Sequence, residues 1–260
     1  MATLNLTAPT GWADLSQQQL VCLLKVMVSV NHANNNRRFR SVEDYSAQSA
    51  AQVATICLFR WNNLRVITPY ADAWLVAQDN REYILSADDI AAATGFLDWM
   101  KELPDSPVRI ARVDGADAVA PDLDDGFSFD NWLSVEAFWQ HYQVTKADSS
   151  LRAMAEILYR RPGIHLKEHE TLGVFYWWAG VKAMCNRLFP NFFQPAPPGS
   201  DAQPSEDSLR RSMDAQIRAL TKGDISKEPV ILALPAMRAL TELDALAREY
   251  DELNRKYGSK

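Results

Sequence analysis

The sequence is short of the features that announce catalysis. It has only three cysteines, Cys22, Cys57 and Cys185. All three lie among apolar neighbours with no short pairing spacing, so they read as reduced, buried thiols and exclude a disulfide scaffold. No Gly-rich phosphate loop, no G-x-S-x-G elbow and no Cys-x-x-Cys pair occurs. Positive charge is also scarce: Lys and Arg number 27 against 33 Asp and Glu, a net charge of −6, and the pI is near 5.3. That balance argues against a general nucleic-acid binder. The one basic cluster, Arg37-Arg38-Phe39-Arg40, could touch phosphate but is short enough to be a solvated loop. The amino-terminal stretch MATLNLTAPTGWADLSQQQL has no basic segment followed by an apolar one, so no secretion signal is expected. There is no internal repeat and no low-complexity tract.

No apolar run is long enough for a membrane either. The most apolar stretch, Glu170 to Phe193, is uninterrupted only from Leu172 to Val181, where Lys182, Asn186 and Arg187 close it. A hydrocarbon core requires roughly 20 such residues. Phe175, Tyr176, Trp177, Trp178, Met184 and Leu188 point in every direction of a helical projection, and a helix apolar all round is a buried one. This segment is therefore expected to be the central core helix.

What remains is an ordinary globular composition, 47% apolar and 23% charged, with enough chain for a sizeable core. Eight tryptophans favour thick packing layers first and a partner-facing surface second. Helical spacing of Leu20, Leu23, Leu24 and Met27 predicts a helix from about Leu15 to Val30, capped by Asp14 or Ser16. A second helix is expected over Val42 to Trp61. The period then changes. Leu64 to Ile67 reads as a short strand, and Ala73 to Ala77 and Glu82 to Leu85 as a hairpin around a polar turn. Ser86 with Asp89 signals a helix start. Residues 104–130 read as an irregular, exposed connection. Apolar stripes from Phe129 to Tyr142 and from Leu151 to Leu158 predict two further core helices before Pro162-Gly163.

After Phe193, four prolines in eleven residues (194–204) read as a linker. Beyond it, Ser205 or Ser208 should cap a helix that ends at Gly223, and Pro235 should open a last one. In that last helix Ala236, Leu240, Leu243, Ala247, Tyr250 and Tyr257 form a seam in need of a partner, within the chain or on another. The expectation is a mainly α fold, a multi-helix bundle with a small β-hairpin insertion at about 64–85. Residues 1–193 would form the main domain, and 205–260 a linked C-terminal helical pair.

The sharpest chemical motif is His165-Leu166-Lys167-Glu168-His169. Two histidines four apart on one helical face could share a zinc ion, with Glu168 as general base, as in the inverted zincin signature. Against this, the motif follows a Pro-Gly break, which puts His165 in a turn or first helical turn, and has no assigned third ligand, so a solvated, charged loop or helix start is the preferred reading. The acidic run Asp122 to Gly126 puts Pro121 at the first position of a calcium loop, so that pattern fails. Cys185, inside the most apolar helix, is read as packed and inert. Trp177 and Trp178, with Leu240, Leu243 and Tyr250 of the last helix, are the candidate protein-interface residues.

Several phrases together resemble an uncharacterised family encoded in prophages and mobile elements of anaerobic gut bacteria. They are Trp12-Ala13-Asp14-Leu15, the run from Tyr83 to Ile90, Ala155 to Arg160, Phe175-Tyr176-Trp177-Trp178, Leu188 to Phe193 and Ala219 to Asp224. More loosely, the chain is similar to the helical phage tail-assembly chaperones. The resemblance spans nearly the whole chain, rests on packing motifs and carries no catalytic residues. It implies a non-enzymatic structural or assembly protein without cofactors, contacting other phage-type structural proteins or further copies of itself. It also implies a place in the host cytoplasm or on the particle. The alternative expectation is a zinc-dependent hydrolase using His165, Glu168 and His169.

Overall fold

The computed structural model describes residues 4–35, 41–194 and 206–257. Among these are nine α-helices, a three-stranded antiparallel sheet and a two-stranded hairpin, so the fold is mainly α as the periodicity predicts. The chain forms two compact units. One comprises Met1–Pro104 with Glu168–Gly173; the other comprises Asp105–Lys167 with Val174–Lys260. The helices on either side of the proline-rich run thus belong to one unit, which differs from the expected boundary; residues 195–205 of that run lie outside the described residues.

In the first unit, helices α1 (Gln17–Asn34) and α2 (Val42–Trp61) pack on one another. Ser16, the residue before α1, accepts from the Gln19 amide while Gln19 reaches back to the Ser16 amide, so a capping box sets the helix start. Leu20, Leu23, Leu24, Val26 and Val30 of α1 and Val53, Ala54, Cys57 and Leu58 of α2 are buried. The helix runs past the expected Val30 because its last turn packs through a polar group. Asn34 is buried and donates to Ser49 Oγ at 2.9 Å and Gln52 Oε1 at 3.1 Å.

Strands β1 (Arg65–Tyr70), β2 (Ala73–Gln78) and β3 (Arg81–Ser86) form an antiparallel meander with β2 in the middle. Asn62, just past α2, ties it down. Its amide donates to the Thr7 and Leu58 carbonyls and accepts from the Thr7 amide, and its carbonyl accepts from Gln78. A second capping box, Ser86 with Asp89, turns the chain into α3 (Ala87–Gly95). Trp12 and Trp99 meet edge to face at 5.4 Å and donate to the Glu102 and Pro9 carbonyls, which pins the amino-terminal segment.

The second unit begins with the stretch expected to be exposed. It instead carries the short hairpin β4 (Arg112–Val113) and β5 (Ala116–Asp117), and Ile110, Val113, Val119, Leu123 and Phe127 are all buried. Helices α4 (Phe129–Thr145) and α5 (Asp148–Leu158) pack as a hairpin. Helix α6 (Glu168–Leu188) has its first six residues in the first unit and supplies the second from Val174 onward. There Val174, Trp177, Trp178, Val181 and Cys185 are completely enclosed. Trp178 stacks on Trp132 at 5.2 Å, and Trp177 meets Tyr159 edge to face and donates to the Pro121 carbonyl. At Gly180 the backbone of Ser106 and Pro107 lies against the helix so closely that only glycine fits.

Helices α7 (Glu206–Thr221), α8 (Glu228–Leu232) and α9 (Ala236–Tyr257) complete this unit. They are not an appended pair. Phe129 N donates to Leu234 O and Ala236 N to Phe127 O, a two-bond bridge across Ser128 and Pro235. Asp244 of α9 accepts from the Asn191 and Phe192 amides and from the Asn191 side chain. Among the described residues, no helix is long and apolar enough to cross a membrane.

Candidate functional site

The histidine motif does not assemble as its spacing suggests. Helix α5 ends at Leu158, Arg160 and Gly163 take left-handed φ of +49° and +68° in the connection, and α6 begins only at Glu168. His165 therefore precedes the helix, and the shared helical face expected for His165 and His169 does not exist. The loop holding His165 is fixed by other means. Asp114, at the turn of the β4–β5 hairpin, accepts from the His165 amide and faces the Arg161 guanidinium at 3.3 Å. Glu168, the expected base, sits 3.0 Å from His32 Nε2 at the end of α1, where both side chains are exposed. His169 is half-buried beside Glu170. Among the described residues no three His, Cys, Asp or Glu side chains are placed to hold a metal ion.

The acidic turn also serves the fold. Asp125 accepts from the Ala120 amide and faces Arg160 at 3.3 Å, and Asp122 accepts from the Asp124 amide. The thiols match their reading: burial pushes Cys57 and Cys185 up to about 12 each, so neither is a thiolate at neutral pH. Arg37, Arg38, Phe39 and Arg40 lie outside the described residues.

The expected interface residues divide. Trp177 and Trp178 are fully enclosed by Tyr159, Pro121 and Trp132 of their own unit, and Leu240 and Leu243 are buried where α9 packs on α4 and α7. Those four are core: the two indoles lie on a helix that is apolar all round, and the two leucines on the covered side of α9. Tyr250 alone is exposed.

An exposed apolar surface lies on the three-stranded sheet. In the observed register Thr68, Leu75 and Ile84 lie side by side across all three strands, and Tyr70 sits opposite Ala73 one step along the same face. Tyr70 is 56% and Ile84 55% exposed, with half-buried Leu75 beside Ile84. Ile67, the extra residue of a bulge between Val66 and Thr68, is exposed as well. On the opposite face Val66 and Trp74 remain exposed around a fully buried Val76. Strands β1 and β3 each have one neighbour, so both present a ladder edge. The sequence does hold a signal for this, since Pro69 inside a Val-Ile-Thr-Pro-Tyr run is a mark of an edge strand.

Comparisons of the chain with protein-family models, with curated proteins and with solved structures return no match.

Proposed function

We propose that this chain is a non-enzymatic protein of the phage structural or assembly kind, comparable to a tail-assembly chaperone, which works through protein–protein contacts. The observation that carries the reading is the apolar surface of the three-stranded sheet. On one face of it Tyr70 and Ile84 stay in water beside half-buried Leu75, and among the described residues the outer strands β1 and β3 pair with β2 alone. Contiguous exposed apolar area of this kind marks an interaction surface, and an edge strand adds backbone donors and acceptors to it. The partners are other structural proteins of the same particle. The phage assignment itself rests on the sequence resemblance, and the mode of action on the sheet.

Photo-crosslinking from position 84 tests this. With a benzophenone amino acid in place of Ile84, irradiation in the native host should yield adducts to a tail-tube, baseplate or tape-measure protein. The same label at Ala51, an exposed position of α2, should not. Adducts absent from position 84, or equally abundant from both positions, would overturn the reading.

A further inference from the structure

Helix α9 carries a second apolar surface that no described residue covers. Read in heptads from Ala236 at a, the a positions are Ala236, Leu243, Tyr250 and Tyr257, and the d positions are Ala239, Leu246 and Leu253. Every one is apolar. The inner half of this seam is used: Ala236, Ala239 and Leu243 are buried as α9 packs on α4 and α7. The outer half is not. Leu246 is half-buried, and Tyr250, Leu253 and Tyr257 are 65%, 56% and 66% exposed.

We propose that the outer half of α9 pairs antiparallel with the same segment of a second copy of this chain. The flanking charges select both the partner and the direction. A parallel pair sets each g residue beside the e residue of the next heptad, which places Glu249 beside Asn254 and Glu242 beside Ala247 with no charge matched. An antiparallel pair sets g beside g. Glu249 then meets the partner's Lys256, and Lys256 meets the partner's Glu249, so one register yields two ion pairs. That register layers Tyr250 on the partner's Leu253 and Leu246 on the partner's Tyr257. Lys256 already lies along the seam, its ammonium 5.4 Å from the Tyr257 ring centre. The overlap of residues 246–257 is about 18 Å of helix, and so short a contact gives a weak dimer, with Kd on the order of tens of micromolar. The pairing uses no residue of the sheet, so it stands or falls apart from the reading above.

The test is sedimentation velocity of the full chain across a concentration series at low salt. A concentration-dependent monomer–dimer equilibrium is expected. Leu253→Asp should abolish it, and Glu249→Lys, which sets Lys against Lys twice, should weaken it about tenfold. The double swap Glu249→Lys with Lys256→Glu should restore it. All three positions are exposed, and unchanged circular-dichroism melting confirms that the variants are folded. A monomer at every concentration overturns the proposal. So does a dimer indifferent to Leu253→Asp, or a double swap that fails to restore association.

Discussion

Substituting Gly180 by alanine places one methyl group where the chain has no room. A Cβ built there lies 2.8 Å from the Ser106 carbonyl carbon and 3.0 Å from Pro107 Cα, and nearer still to the Ser106 carbonyl oxygen. All three are backbone atoms, so no side chain can swing aside. The segment is also tethered, by Arg187 donating to the Asp105 carbonyl and by the fixed φ of Pro107. Alanine in mid-helix would otherwise stabilise by about 1 kcal/mol. Overpacking costs about 1–3 kcal/mol, and rigid backbone on the receiving side puts this site at or above the upper end. The net expectation is a destabilisation of about 2 kcal/mol. That corresponds to a melting temperature lower by about 4–8 °C in a chain of this size. Calorimetry and urea titration should agree, with the midpoint moved and the slope kept. Gly95→Ala is the control. It closes α3 with no atom within 4 Å, and it should be neutral or stabilising by up to about 1 kcal/mol. A Gly180→Ala protein that melts at or above the parent would refute the close-approach argument.

Other perturbations follow from the same geometry. Burial opposes the charge on Asp244, but the hydrogen bonds from Asn191 and Phe192 outweigh it and hold the carboxyl below its ordinary value. Its stabilising contribution is therefore present above the unfolded carboxyl range and is lost as pH falls through the lower folded value. Asp244→Asn should cost about 1–2 kcal/mol at neutral pH, with the difference from the parent vanishing in acid melts. Lys182 faces Glu136 at 2.9 Å with both side chains largely buried. Lys182→Met alone should cost about 3 kcal/mol by leaving the carboxylate unpaired, whereas adding Glu136→Leu should recover most of that. Ala71, the turn residue between β1 and β2, has φ +52°, so Ala71→Gly should raise the melting temperature slightly by relieving left-handed strain. Cys57 and Cys185 should resist a maleimide reagent in the native protein at neutral pH and react once urea unfolds it.

How much of this was legible depends on which force set each feature. Helix α2 was readable to both ends because Val53, Cys57 and Leu58 keep helical spacing and Asn62-Asn63 stops it. The last turn of α1 was not, because its contact is the buried amide of Asn34, and hydrophobic periodicity is blind to polar packing. The stretch 104–130 looked solvated from its Asp and Pro content. Single apolar anchors such as Ile110, Val119 and Phe127, each several residues from the next, hold it down without any period. The proline-rich run promised a boundary. Contacts set the units instead, and Asp244, Leu240 and the Phe127–Ala236 bridge join α9 to the unit of α4.

The candidate sites divide along the same line. The all-round apolar character of α6 announced a core helix, and Trp177 and Trp178 are core, so their second reading as interface residues gives way. Four-residue spacing puts His165 and His169 on one helical face only if both are helical, and His165 lies in the connection before α6, which begins at Glu168. The seam of α9 was visible in full, yet only the fold distinguishes its covered inner half from the exposed Tyr250, Leu253 and Tyr257. The sheet surface leaves no mark in the periodicity, because β1 is exposed along its whole length and shows no alternation.

The most direct test of the central claim is affinity capture of the tagged chain from its native host, compared with a variant carrying Tyr70→Ser and Ile84→Lys. Both side chains are on the water-facing sheet surface, so the variant should melt like the parent. The account predicts that structural proteins of a phage particle are recovered with the parent and lost with the variant. Equal recovery with both, or recovery of no such protein by a folded parent, would contradict it.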